Sequence, residues 1–258
     1  MALPARILHR KVARIQTHLK LREAREQLAR EKQLVDQLLA NTLPAEAVKE
    51  LKATGKVTPR RFDNVAVLFI DLIGFTAFCD RQNAEEVVGA LSDLFVTFEE
   101  IARRKGLEKI KTIGNAFLAT AGLLNPVVDP LRAAVTCALE IAAATPRIRE
   151  GWRVHAGVHL GPVMAGIVGR ERYQFDIWGD TVNIAARLTS AALPDSVVLT
   201  ESLAATLEGL TISPRGLVEL KGKGAVPLVE IPASALSAYS PTHDPFLADE
   251  QFREVPLH

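Results

Sequence analysis

Apolar and polar positions fall into three regimes along the chain. From Ala5 to about Lys56 the sequence is polar and helical in character, without internal glycine; Pro44 is its one break and Gly55 its end. Apolar residues recur there at Leu8, Val12, Ile15 and Leu19, then at Leu21, Ala24, Leu28, Val35 and Leu38, with Glu31 at the expected place between. This is heptad spacing with a phase break between Leu19 and Leu21. It predicts a parallel coiled coil joining two chains or, in the alternative, one amphipathic helix packed on its own domain. A second short helix follows in TLPAEAVKELKATGKVTPRR, with Pro44 in its first turn and Gly55 at its stop; Pro59 and the Arg60-Arg61 pair mark a boundary.

The period then changes. VAVLFI (Val65 to Ile70) is apolar on both strand parities, as in a central strand covered on both faces, and it runs into Asp71. Helical periodicity returns over Asn83 to Lys105, with Asn83 as N-cap, acids in the first turn and bases in the last. Glu108 to Gly122 reads as a β-hairpin around Gly114-Asn115, a pair that supplies or tolerates the positive φ of a two-residue turn. Asp129 to Ala144 is a helix with Pro130 in its first turn, and Trp152 to Val168 is strand-like. Tyr173 to Ala192 reads as an aspartate, a glycine turn and a helix. A strand (Ser196 to Thr200), a short helix (Glu201 to Glu208) and a hairpin containing Val218 to Gly224 complete the folded part. From about Ala233 the chain is a polar, proline-containing tail without periodicity, expected to be disordered. The domains implied are a helix over 1–40, a helix and linker over 41–61, an α+β domain over 62–232 and a tail over 233–258.

With 258 residues, 48% of them hydrophobic and 24% charged, a sizeable core is possible, and a net charge of +1 gives no general argument for nucleic acid as a partner. The first 22 residues hold six bases (Arg6, Arg10, Lys11, Arg14, Lys20, Arg22) and no acid. Such a block suits an anionic membrane surface or, as the plainer reading, a solvated helix face. Cys79 and Cys137 lie far apart without ligand spacing, which suggests buried free thiols in a reducing compartment. No run of eighteen apolar residues occurs, so a cytoplasmic chain is expected.

Several polar residues stand where chemistry is possible. Asp71 ends a buried strand before a glycine turn, where it can face a cleft as a cation ligand with backbone carbonyls beside it, or cap the next helix. Lys111 precedes Asn115 by four residues in the hairpin, and Asn115 by itself needs no role beyond the turn. His155 and His159 share a strand parity, but no third ligand is near and a four-residue spacing suits a metal pair on a helix rather than a strand. Asn183 and Arg187 share one helical face, suited to phosphate or ribose oxygens, and glycine between Lys221 and Lys223 lets backbone approach an anion. Neither a Walker loop nor a GxGxxG motif is present.

Four segments in this order, FIDLIGFT (Phe69 to Thr76), EKIKTIGNAF (Glu108 to Phe117), FDIWGDTVNIAAR (Phe175 to Arg187) and ELKGKG (Glu219 to Gly224), resemble the class III nucleotidyl cyclase catalytic domain. The preceding LLANTLPAEAVKELKATGKVTPRR resembles the segment that couples regulatory domains to it. The resemblance implies a ferredoxin-like βααββαβ core, working as a head-to-tail homodimer with sites at the subunit interface. By motif, Asp71 and the Leu72 carbonyl become metal ligands, Lys111 and Asp176 adenine readers, Asn183 and Arg187 the ribose and phosphate contacts of catalysis, and Lys221 the binder of the outer phosphates, with Lys223 as helper. The substrate implied is ATP, cyclised to 3′,5′-cyclic AMP and pyrophosphate with Mg²⁺ or Mn²⁺, two ions per site. The departure is Asn115, where the family pattern has a second metal aspartate: its carbonyl oxygen remains as a metal ligand but one negative charge is gone. Two readings therefore stand: an adenylate cyclase slowed by Asn115 and controlled through its N-terminal coiled coil, or a catalytically silent homologue that binds nucleotide or regulates a partner. Membrane contact is expected only through a region upstream of this sequence.

Overall fold

The computed structural model describes residues 3–40, 42–169 and 173–238, with the side chains of 3–15, 17 and 40 outside the description. It comprises two compact units, Met1–Val57 with Gly169–Phe175, and Thr58–Val168 with Asp176–His258.

The first unit contains α1 (Leu3–Ala40) and α2 (Ala45–Thr54). Pro44 precedes α2 as its N-cap, and Gly55 closes it in the left-handed region at φ 73°, donating its N–H to the Leu51 carbonyl at 2.8 Å. Lys52 of α2 pairs with Asp36 of α1 at 2.5 Å. Along α1 the heptad positions Leu19, Leu21, Leu28, Val35 and Leu38 are all exposed, with Leu28 at 66%. Leu8, Val12, Ile15 and Arg6, Arg10, Lys11 and Arg14 belong to the undescribed side chains.

The second unit runs β1 (Arg60–Ile73), α3 (Phe75–Cys79), α4 (Ala84–Arg104), β2 (Leu107–Ile113), β3 (Ala116–Ala121), α5 (Pro130–Ile148) and β4 (Arg153–Val168), the βααββαβ order of an α+β ferredoxin-like core. The chain continues through β5 (Gln174–Trp178), which enters the second unit at Asp176, then α6 (Asp180–Ala191), β6 (Ser196–Thr200), α7 (Glu201–Ala204), β7 (Ser213–Leu220), β8 (Gly224–Pro232) and α8 (Ala235–Ala238). The sheet order is β2-β3-β1-β4-β6-β8-β7, with β5 paired to β4 off this path. β1 is central, antiparallel to both β3 and β4, and Val65 to Ile70 are all buried, as their apolar character on both parities requires.

The two sheet faces have different cover. Ala66, Leu68, Ile70 and Leu72 of β1 join Leu94 and Phe98 of α4 and Ala134, Ala138 and Ile141 of α5 in the main core. On the other parity α6 lies directly on β4. A Cβ on Gly157 would stand 2.3 Å from the Thr189 nitrogen and 2.4 Å from the Ala185 carbonyl oxygen, and one on Gly161 would stand 2.7 Å from Thr181 Oγ1. Gly157 therefore admits the helix backbone onto the sheet, and Gly161, four residues on with the same strand parity, leaves room for the Thr181 side chain.

Four expectations change. Arg60 and Arg61, read as a boundary, open β1 and pair with Ala165 and Met164. Asp71 caps no helix: it lies inside β1, and Gly74 occupies the N-cap position of α3. The hairpin turn takes positive φ only at Gly114 (62°) and not at Asn115, so the asparagine is not required by the turn's backbone. The tail begins later than Ala233, because Ala233 donates its N–H to the Asp195 carbonyl at 2.9 Å and Ala235 is buried in α8; residues 239–258 lie outside the description.

Candidate functional site

Strand register gathers the first group of candidates. On β1 Asp71 stands opposite Ala116 of β3 on one side and His155 of β4 on the other. Ala116 directly follows the Gly114-Asn115 turn, so the hairpin delivers Asn115 to the end of β1. The Asn115 amide nitrogen donates to Asp71 Oδ1 at 2.5 Å and to the Leu72 carbonyl at 2.8 Å. Both partners are pure acceptors, which dictates that the NH₂ end of the amide faces them. Gly74 at φ 77° turns the chain away after this pair of oxygens.

His155 Nε2 lies 3.4 Å from Asp71 Oδ2. The sequence did not point to this neighbour, although strand parity would have: both residues lie on the α6 face of antiparallel strands. His159, two residues on, has a buried Nδ1 without a hydrogen-bond partner, and burial holds its pKa below the ordinary histidine value, with Asp180 opposing this. Among the described residues no three His, Cys, Asp or Glu side chains cluster as a metal cage.

The oxygens of Asp71 and Leu72 nevertheless converge on one point, the Asn115 nitrogen. One carboxylate and one carbonyl suit a hard cation whose remaining ligands are water and phosphate oxygens, as Mg²⁺ is commonly held. The donor set fits one such ion once the amide gives up that position.

The second group lies on β2, β5, α6 and the β7-β8 turn. Lys111 Nζ meets Asp176 Oδ2 at 2.5 Å, both side chains largely covered at 26% and 15% exposure. Asp176 Oδ1 accepts the Ile177 N–H at 2.9 Å, which fixes the carboxylate with one oxygen toward the lysine. Lys111 and Asp176 are 65 residues apart in sequence, and only the tertiary fold brings them together.

On α6, Asn183 is exposed and Arg187 half-buried. The Arg187 guanidinium lies beside Gly222: a Cβ there would stand 3.8 Å from Nη1 and 3.9 Å from Nη2. Arg187 and the Lys221-Gly222-Lys223 turn are thus brought side by side, with Lys221 exposed. Lys223, expected to help with phosphates, instead pairs with Asp180 at the start of α6 at 2.5 Å. Asp180 was missed by sequence reasoning; as the first residue of a helix beside a lysine-bearing turn it carried a signal only in three dimensions. Chemically this group offers a donor and acceptor pair for a heterocycle edge, and a cationic pair for phosphate oxygens.

A family profile described as "Adenylate and Guanylate cyclase catalytic domain" matches residues 57–231. Among curated proteins, Guanylate cyclase 2G of Mus musculus is 33% identical over 214 residues, covering 78% of this chain and 19% of its own length, so the chain spans about a fifth of that relative. Among solved structures, the guanylate cyclase domain of RhGC from Catenaria anguillulae in complex with GTP aligns with TM-score 0.64 at 29% identity, covering 67% of this chain and 97% of the other. The adenylyl cyclase CyaB from P. aeruginosa aligns with TM-score 0.64 at 20% identity, covering 67% and 95%, a likeness of fold.

Proposed function

The chain belongs to the family of adenylate and guanylate cyclase catalytic domains, and we propose that within it this chain is an adenylate cyclase forming 3′,5′-cyclic AMP and pyrophosphate from ATP. The observation that carries the choice of purine is the Lys111–Asp176 pair. These residues stand where the motif resemblance puts the adenine readers: the lysine donates to a ring nitrogen and the aspartate accepts from the N6 amino group. That the curated relative is a guanylate cyclase makes the purine the point to test.

In this reading Lys111 and Asp176 orient adenine, Asn183 holds the ribose, and Arg187 neutralises the charge that grows on the α-phosphate as the 3′-hydroxyl attacks it. Lys221 holds the outer phosphates through departure of pyrophosphate. Asp180 keeps Lys223 in place and so steadies the turn against Arg187. A divalent ion, Mg²⁺ or Mn²⁺, held by Asp71 and the Leu72 carbonyl would supply Lewis-acid activation of the hydroxyl and the phosphate. Asn115 withholds one carboxylate there; a deficit of ~3 to 5 kcal/mol in transition-state stabilisation slows turnover by roughly 10² to 10⁴.

The working unit in this proposal is a head-to-tail homodimer with shared sites. The exposed heptad seam of α1 supports pairing through a coiled coil, and exposed Met164 of β4 and Trp178 of β5 offer the catalytic domain apolar contact surface. No described helix is long and apolar enough to cross a membrane. Asn115 favours a second reading, a silent homologue that binds nucleotide and regulates a partner. Cyclic nucleotide formation from ATP and from GTP, with Mg²⁺ and with Mn²⁺, in the parent and in Asn115→Asp, separates the readings. Product from ATP, raised in the variant, supports the adenylate cyclase; product from GTP alone overturns the purine assignment; no product from either protein leaves the silent homologue.

A further inference from the structure

Asn115 does more than lack a charge. Its amide nitrogen sits at the point where the Asp71 carboxylate and the Leu72 carbonyl converge, at 2.5 and 2.8 Å, and it satisfies both. Its position is not a by-product of the turn, since Gly114 alone takes the positive φ. We propose that the Asn115 amide is a built-in stand-in for the cation, so that a divalent ion must displace it and the chain binds nucleoside triphosphate without a metal held by Asp71.

Physically, the NH₂ group carries partial positive charge and two donors, matched to the two acceptor oxygens of Asp71 and Leu72. An ion entering this position must break both hydrogen bonds, one of them to a carboxylate, before it gains either oxygen. The phosphate end uses other side chains, since Arg187 of α6 lies beside Gly222 in the turn that holds Lys221, and neither hydrogen bond of Asn115 involves them. Triphosphate binding therefore persists when the metal position is filled by the amide. The inference rests on the cyclase reading for the nucleotide used and for the metal position at Asp71, and it opposes the simpler view that asparagine is a weak but passive ligand.

The two views predict opposite effects of Asn115→Ala. If the amide competes with the ion, its removal frees Asp71 and Leu72 and strengthens cation binding; if it is a passive ligand, removal weakens binding further. The experiment measures by calorimetry the affinity of the full chain for ATP and for GTP, each with Mn²⁺ and with EDTA. The Mn²⁺-dependent gain in affinity is compared among the parent, Asn115→Ala, Asn115→Asp and Asp71→Asn, with thermal melts to show that each is folded. Asp71→Asn gives the gain due to the nucleotide's own cation. The proposal expects the parent to match that baseline within about threefold, and Asn115→Ala and Asn115→Asp each to exceed the parent by about tenfold or more. A parent well above the baseline, or an Asn115→Ala gain no larger than the parent's, overturns it. If Asn115→Asp also stays at the baseline, Asp71 holds no cation at all; the metal position in the cyclase reading then fails, and the inference fails with it.

Discussion

Lys111→Ala and Asp176→Ala test the purine assignment most directly, because the two side chains meet as one donor and acceptor pair. Nζ stands 2.5 Å from Oδ2 with the side chains 26% and 15% exposed, so solvent screens the two charges only in part. A hydrogen bond from a charged group to a substrate edge in such a place contributes about 1.5 to 3 kcal/mol, or roughly 10- to 150-fold in affinity. Each single substitution is expected to weaken ATP binding by that factor while GTP binding changes by less than about threefold. The two side chains satisfy each other, so each single variant also strands a half-buried charge. The double variant should accordingly lose less than the product of the single losses. Calorimetric titration with ATP and GTP in Mg²⁺ measures all of these and does not require turnover. An ATP-to-GTP affinity ratio that stays within about threefold of the parent in both single variants refutes the reasoning.

Gly157→Ala forces a methyl group against the α6 backbone, where the nearest atom stands 2.3 Å from the added carbon. It should lower stability by about 1 to 3 kcal/mol and displace Asn183 and Arg187; an unchanged thermal midpoint together with unchanged ATP affinity would contradict this. Glu230 is pushed up by burial, but Ser196, the Leu193 N–H and Arg215 outweigh this and hold its pKa below the ordinary carboxylate value. Its contribution is therefore present above the unfolded-state pKa and lost as pH falls through the lower folded one, so the thermal midpoint of Glu230→Gln should drop less than the parent's between neutral and acid pH. Glutamate at the exposed seam positions Leu28 and Val35 should shift the chain from dimer toward monomer in sedimentation velocity, and an unaltered distribution argues against the coiled coil.

Much of the fold was legible in local pattern. VAVLFI is buried throughout because both strand parities are apolar, Asn83 accepts the Glu86 N–H at 2.9 Å as an N-cap should, and Gly55 ends α2 in the left-handed region. These features depend on neighbours a few residues away, so the sequence carries them openly. The strand boundary at Arg60 and the start of the tail were misplaced because pairing with β4, and the contact of Ala233 with Asp195, come from distant chain.

The residue types of the site were also in the sequence: an aspartate ending a buried strand, a lysine and asparagine in a hairpin, an asparagine and arginine on one helix face. Tertiary structure alone decided what they touch. Register across β1 set His155 beside Asp71, the packing of α6 on Gly157 and Gly161 put Arg187 against Gly222, and Asp180 took Lys223. The meaning of Asn115 changed most. In sequence it is a turn residue or a depleted ligand; in the fold its amide nitrogen closes on two oxygens, because strand pairing places the Gly114-Asn115 turn at the end of β1. A hydrogen bond depends on where two distant segments meet, and that position is set by the whole sheet rather than by either segment.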